Sequence, residues 1–470
     1  MVFSSTLFLF VFLPVTLAGY YLIRKELRNA FLLIASLLFY AAGEPSFVMI
    51  MAISILLNYL LGLLIWRLSH WNKAVSGTLL MLSLCLNLGI LFYYKYFDFV
   101  VLNLNGIFGT SIALRNIVLP IGISFFTFQG MSYVLDVYMG KTDVQMNPVN
   151  VALYIALFPQ LIAGPIVRYS DVNREIEGRC ENLDDFASGV QRFVFGLAKK
   201  VILSNSFAII ADEAFTMNSA ERDIAMAWLG AVAYAIQIYF DFSGYSDMAI
   251  GLGRMFGFHF HENFDYPYTS SSVTVFWRKW HISLSSWFRD YVYIPLGGNR
   301  RGNVYLNLLI VFILTGLWHG ASWNYVIWGL WHGCFLIVER VLRNKHIEIP
   351  LPRAFKWAYT MLVVLIGWVF FRAPGFLAGL EYLKSMAGIH STELISAKTC
   401  FYIREFFFSF LIAALSCTPV FRKIKCKFSR NETLRLIGCA VQCTATILLF
   451  LMTIGTMSVT TYNPFIYFNF

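Results

Sequence analysis

The sequence predicts an all-α polytopic membrane protein with about 11 transmembrane helices plus re-entrant or interfacial helices. Three observations predict it. Of 470 residues, 58% are apolar and only 13% charged, whereas soluble domains carry about a quarter charged residues. Aromatic residues reach 17%, led by 45 Phe, which suits lipid-facing surfaces and interfacial belts. Apolar runs recur over the whole length with short polar breaks, leaving no stretch for a soluble domain or a long linker.

A spanning helix needs about 20 apolar residues. Candidates lie near 3–23, 30–43, 46–66, 74–94, 117–138, 148–167, 188–211, 226–250, 304–318, 322–342, 355–372, 401–420 and 434–460. Runs such as 30–43 and 304–318 are too short or too polar to span alone, and irregular backbone at that depth needs protein or a water-filled cavity around it. The opening run is read as a retained first span with its N-terminus outside. It lacks a basic segment before it, and Arg24, Lys25 and Arg28 follow it as a stop to transfer. By the positive-inside rule, the breaks at 24–28 and 67–73 are cytoplasmic, and Glu44-Pro45 lies outside.

The net charge of +10 does not indicate nucleic acid, because the basic residues are scattered between apolar runs. Positive-inside topology and anionic membrane lipid account for it. The eight cysteines form no CxxC pair, so neither a zinc site nor a disulfide framework is indicated; they read as small buried hydrophobes.

Four stretches carry polar chemistry. In "LTGLWHGASWNYVIWGLWHG", residues 314–333, Trp-His-Gly occurs twice and places His319 and His332 in an otherwise apolar run. Intramembrane ionisable residues are rare and mark functional cavities. Thirteen positions apart, the two imidazoles would point to different helix faces at ~100° per residue. Gly320, Ser322 and Asn324 predict a helix break just after His319. His332, deeper in the next run, reads as a residue bonding across helices. Histidine, with an ordinary pKa near 6.5, suits general-base work on a hydroxyl. One placed base could run acyl transfer from a thioester, an electrophile needing little further activation. No GxSxG elbow, Walker A loop or HExxH accompanies it.

In "SSVTVFWRKWHISLSSWFRDYVYIPLGGNRRGN", residues 271–303, Trp277, Trp280, His281, Leu284 and Phe288 fall on one face of a helix. Such an amphipathic helix either lies in the headgroup layer or floors a pocket. In the second case Arg278, Lys279, Arg300 and Arg301 meet the phosphates of an acyl donor. The segment 239–258 sets Asp241, Ser243, Tyr245, Ser246 and Asp247 in a membrane-length run, as carboxylates paired with a cation or as a cavity wall. His259, His261 and Glu262 form a metal-like cluster with one short spacing, and a polar loop fits it better, so no metal is expected.

These stretches, with "FPQLIAGPIVRYSD" and "MVFSSTLFLFVFLPV", resemble the membrane-bound O-acyltransferase (MBOAT) superfamily over nearly the whole chain. The likeness is greatest to the bacterial branch with the alginate O-acetyltransferase membrane subunit and the teichoic-acid D-alanyl transfer protein. The resemblance implies one membrane domain over 1–470, a central tunnel, His319 as catalytic base and His281 at the second polar position. Trp318 and Trp323 would line the tunnel, joined by Trp280, Asn324, Asp241, Ser243, Tyr245 and Asp247. No bound cofactor is implied. Acetyl-CoA or an acyl carrier protein would be co-substrate, and an extracytoplasmic protein or polysaccharide the acceptor. The setting would be the bacterial inner membrane and polysaccharide O-acetylation of the alginate type. D-alanyl transfer to teichoic acid, a transporter using the intramembrane His and Asp as a proton relay, and a structural scaffold stay open as alternatives.

Overall fold

The computed structural model describes residues 1–347, 350–389, 393–428, 432–460 and 462–466. Among the described residues all regular structure is helical. The first half holds α1 (Leu13–Leu22), α2 (Arg28–Ala41), α3 (Val48–Ser69), α4 (Lys73–Leu91), α5 (Phe97–Phe108), α6 (Ile123–Tyr138), α7 (Pro148–Ala156), α8 (Phe158–Leu161), α9 (Tyr169–Gly178), α10 (Leu183–Ala198) and α11 (Asn205–Thr216). Then follow α12 (Ile224–Met255), α13 (Val273–Lys279), α14 (Ile282–Phe288), α15 (Val304–His319), α16 (Trp323–Asn344), α17 (Arg353–Arg372), α18 (Phe376–Met386), α19 (Ala397–Glu405), α20 (Phe407–Ser416), α21 (Val420–Phe428) and α22 (Glu432–Val459).

Among the described residues seven helices are long and apolar enough to cross a bilayer: Pro45–Ser69, Lys73–Phe108, Leu183–Thr216, Ile224–Met255, Trp323–Asn344, Arg353–Arg372 and Glu432–Val459. The pair α19 and α20, bent by 56°, makes an eighth. The expectation of about eleven spans is higher because it counts runs that fold as shorter helices. Phe8–Leu22 and Val304–His319 are apolar but short. Helix α6 has 16 residues, or ~24 Å at 1.5 Å per residue. The run 148–167 is interrupted at Leu157, after which α8 restarts over Phe158-Pro159, where the proline has no N–H to continue a ladder.

Contacts divide the chain into two compact units, Met1–Phe193 with Tyr245–His261, and Val194–Gly244 with Glu262–Phe470. In the first unit, polar groups on apolar helices find one another. Asn58 on α3 and Asn87 on α4 exchange two amide hydrogen bonds of 3.0 Å. Arg192 on α10 pairs with Asp247 on α12 at 2.6 Å.

The second unit is built on a core of α11, the first part of α12, α13, α16 and α17 around Trp328 and Trp368. Lys200 and Asp241 form an ion pair of 2.6 Å with side chains 2% and 1% exposed. Two backbone groups near the C-terminus complete it. Ile466 N–H donates to Asp241 Oδ2 at 2.9 Å, and Lys200 Nζ donates to the Pro464 carbonyl. The expectation that the cysteines are buried is corrected. Seven of eight are exposed and Cys417 is intermediate, because an apolar run in such a chain also covers faces that point away from the protein interior.

A buried charge left without its partner is worse than two apolar side chains. Lys200→Met alone should therefore destabilise the second unit by about 3–5 kcal/mol. Lys200→Met combined with Asp241→Leu should recover most of that loss in thermal unfolding of the purified protein. A double variant no better than the single one refutes this.

Candidate active site

The site begins at the hairpin of α15 and α16. Each copy of the repeated pentapeptide, Gly316–Gly320 and Gly329–Gly333, carries glycines four apart, the spacing that lets apolar helices approach closely. A Cβ at Gly316 would lie 2.3 Å from the Tyr325 carbonyl, and one at Gly329 would lie 2.3 Å from the Phe312 carbonyl. Neither backbone can yield, so both positions require glycine. Helix α15 ends at His319, Gly320 is extended, and Ser322 precedes α16. The break stands where the Gly320, Ser322 and Asn324 pattern predicts it.

The ending aims His319 into a buried aromatic pocket. Its ring lies 5.0 Å from Trp318, 5.1 Å from Trp328 and 5.1 Å from Phe371, each edge-on. Trp318 also faces His281, at 6.0 Å. Trp328 also faces His332, at 5.3 Å. Rings therefore run in the order His281, Trp318, His319, Trp328, His332, and all five are buried. The two copies of the triplet serve different ends. Trp331 donates to the Val363 carbonyl at 2.9 Å, and His332 packs on Gly367, where a Cβ would meet Nε2 at 2.4 Å. The second copy thus joins α16 to α17, but the expectation that His332 bonds across helices is corrected: neither of its ring nitrogens has a hydrogen-bond partner among the described residues, and the ring only packs.

Residues 271–294 do not form the single amphipathic helix that the spacing suggests. The chain folds as α13 and α14, broken at Trp280-His281, with His281 at φ +45°. The physical reason is a competing set of bonds from Asn263. Its carbonyl accepts from Ile282 N–H at 2.9 Å. Its side-chain oxygen accepts from Ser283 N–H at 3.1 Å and from the Ser283 hydroxyl at 2.9 Å. Trp277, Trp280, Leu284, Trp287 and Phe288 are all buried, so the headgroup-anchor alternative is set aside. Glu339, which sequence reasoning missed, holds the other end. Its carboxylate accepts from Val273 N–H at 2.7 Å, Thr274 N–H at 2.9 Å and the Thr274 hydroxyl at 2.5 Å. A carboxylate there satisfies orphan donors at the start of α13. A glutamate late in an apolar helix was the signal available.

The other expected site residues are dispersed. Trp280 packs at a tilt within the core, 4.8 Å from Trp368. Asn324 donates to the carbonyls of Phe370 and Ala373 at 3.3 and 3.0 Å, pinning α16 to the end of α17. Trp323 is exposed at the start of α16. Asp241 is held by Lys200, while Ser243 is buried in the same unit. Tyr245 stacks on Phe3 at 4.6 Å in the first unit, where Asp247 is paired with Arg192. Arg278, Arg300 and Arg301 are exposed and Lys279 is half-buried, beside or shortly after the His281 break. Among the described residues none of these four cations has an ion-pair partner.

The His259–Glu262 stretch does not converge on a point. His259 Nδ1 lies 2.9 Å from Glu175 and its Nε2 3.3 Å from Asp185, on opposite sides of the ring. His261 Nε2 lies 3.8 Å from Asp171. Among the described residues no group of three metal-type side chains could hold an ion. The Asp171 carboxylate beside it raises the pKa of His261 above its ordinary value. A raised histidine pKa stabilises the fold fully below its unfolded value of about 6.5, and the contribution is lost as pH rises through the folded value. Titration of His261 by NMR should show the raised value in wild type and its return toward about 6.5 in Asp171→Asn. An unchanged titration in that variant excludes the pairing.

The class of protein follows from family comparison. The membrane-bound O-acyltransferase family model matches residues 142–380, and the chain belongs to that family. It is a multi-pass membrane O-acyltransferase. It is 42% identical to the probable alginate O-acetylase AlgI of Pseudomonas putida over 100% of both chains. It is 34% identical to the peptidoglycan O-acetyltransferase of Helicobacter pylori, over 84% of this chain and 81% of that one. The teichoic acid D-alanyltransferase of Bacillus subtilis is 28% identical over 46% of this chain and 57% of its own.

Proposed function

We propose that this enzyme carries an acetyl group from a cytoplasmic thioester, acetyl-CoA, across the bacterial inner membrane to an extracytoplasmic hydroxyl for alginate-type polysaccharide O-acetylation. The acceptor is the polymer or a partner protein that modifies it. The observation that carries this reading is His319, at the broken end of α15 inside its aromatic pocket. Full-length similarity to an alginate O-acetylase favours acetyl over D-alanyl as the group moved.

In this reading His319 takes the proton from the acceptor hydroxyl as its oxygen attacks the thioester carbonyl carbon. The C–O bond forms, the C–S bond breaks, and the thiolate leaves with the proton returned by the imidazole. No protein nucleophile is needed. Indole and phenyl walls exclude water, which would otherwise hydrolyse the thioester. Arg278, Lys279, Arg300 and Arg301 take the donor's phosphates, for which guanidinium forks are matched in geometry.

Purified protein in nanodiscs, supplied with acetyl-CoA and acceptor, should release CoA, and His319→Ala should abolish release while its melting temperature stays near wild type. Full activity in that variant sinks the base assignment. Turnover of a D-alanyl carrier thioester with none of acetyl-CoA moves the group to the alternative. In the same assay Arg300→Gln with Arg301→Gln should raise KM for acetyl-CoA about 10-fold and leave kcat alone, as loss of uniform binding does. A fall in kcat at constant KM removes the phosphate role.

A further inference from the structure

His281 is the second imidazole of the buried row, and what it can do depends on which ring nitrogen carries the proton. Three bonds decide this. The Ser283 backbone N–H points at the Asn263 side chain over 3.1 Å. A backbone N–H can only donate, so the Asn263 atom facing it is the amide oxygen and not the amide nitrogen. The Ser283 hydroxyl donates to that same oxygen at 2.9 Å. His281 Nδ1 lies 3.2 Å from it and 3.5 Å from the Ser283 hydroxyl. A carbonyl oxygen can only accept, so Nδ1 must carry the proton.

From this we infer that Asn263 is a positioning residue that fixes His281 as the Nδ1–H tautomer and so presents the Nε2 lone pair to the buried site. Nε2 is buried and has no hydrogen-bond partner among the described residues. Phe242 stands edge-on to the ring at 4.4 Å, and Phe264 and Trp318 close other sides. The left-handed backbone of His281, at φ +45°, is strained, and the grip of Asn263 on residues 282 and 283 offsets it. Building on the proposed acyl transfer, the tautomer gives His281 a defined task. A neutral imidazole with Nδ1–H engaged accepts at Nε2 and cannot donate to the oxygen of the thioester carbonyl. His281 therefore orients the acceptor hydroxyl by accepting its hydrogen bond, while His319 removes the proton.

Two readouts test this, one of them independent of activity. In full-length protein labelled with 15N-histidine in nanodiscs, the resonance lost in His281→Gln should show protonated Nδ1 and bare Nε2. An Nε2–H tautomer in wild type overturns the inference whatever the variants do. Asn263→Leu, near in size but without an acceptor, should lose the Nδ1–H preference and cut kcat about 10²-fold, the size of one acid–base interaction. KM for acetyl-CoA should stay within about 2-fold. Asn263→Asp, which keeps the acceptor, should retain both the tautomer and most of the rate. Equal loss in the Asp and Leu variants overturns the assignment, as does an Asn263→Leu loss that simply adds to that of His281→Gln. If His319→Ala keeps full activity while the tautomer is as described, the acyl-transfer reading fails and the positioning by Asn263 stands.

Discussion

The contact between α15 and α16 governs the rest of the site. Two helices whose backbones nearly touch at Gly316 and Gly329 leave no freedom in how the chain turns between them. That turn ends α15 at His319 and starts α16 so that Trp328 falls against the imidazole on one side and His332 on the other. Glycine contributes closeness here, not flexibility. In an apolar solvent, where the hydrophobic effect does not drive helices together, close van der Waals contact has to do that work.

The membrane also explains which polar groups stand out. Asn58 with Asn87, Arg192 with Asp247 and Lys200 with Asp241 each form a satisfied pair, as an unpaired polar group in such surroundings costs several kcal/mol. Acidic residues in a membrane-length run drew attention in the sequence, yet Asp241 and Asp247 are spent on cations. The buried Nε2 of His281 has no such partner among the described residues. The ring nitrogens of His332 are likewise buried and without a hydrogen-bond partner among the described residues, so what sets His281 apart is the Asn263 bond to its Nδ1.

Much of the site was legible because it rests on local pattern. The break after His319 follows from Gly320 and Ser322, but helical periodicity over thirteen positions does not carry across that break, and both His319 and His332 pack on Trp328. What was not legible depends on residues distant in sequence. The apolar face of Trp277, Trp280, His281, Leu284 and Phe288 is a sound helical pattern, but Asn263 supplies bonds that cut it in two. Glu339 is 65 residues from Thr274, whose backbone it caps, and no short-range rule connects them. Periodicity also cannot tell a face turned to protein from one turned to lipid, which is why the cysteines were misplaced.

Gly367 has a consequence for how this sequence can drift. It lies on α17 against His332 with no room for a methyl group, although 35 residues separate the two positions in the chain. A change to alanine at 367 becomes neutral once position 332 has shrunk, and harmful before it. The two positions are therefore tied in order, a smaller residue at 332 having to come before alanine at 367.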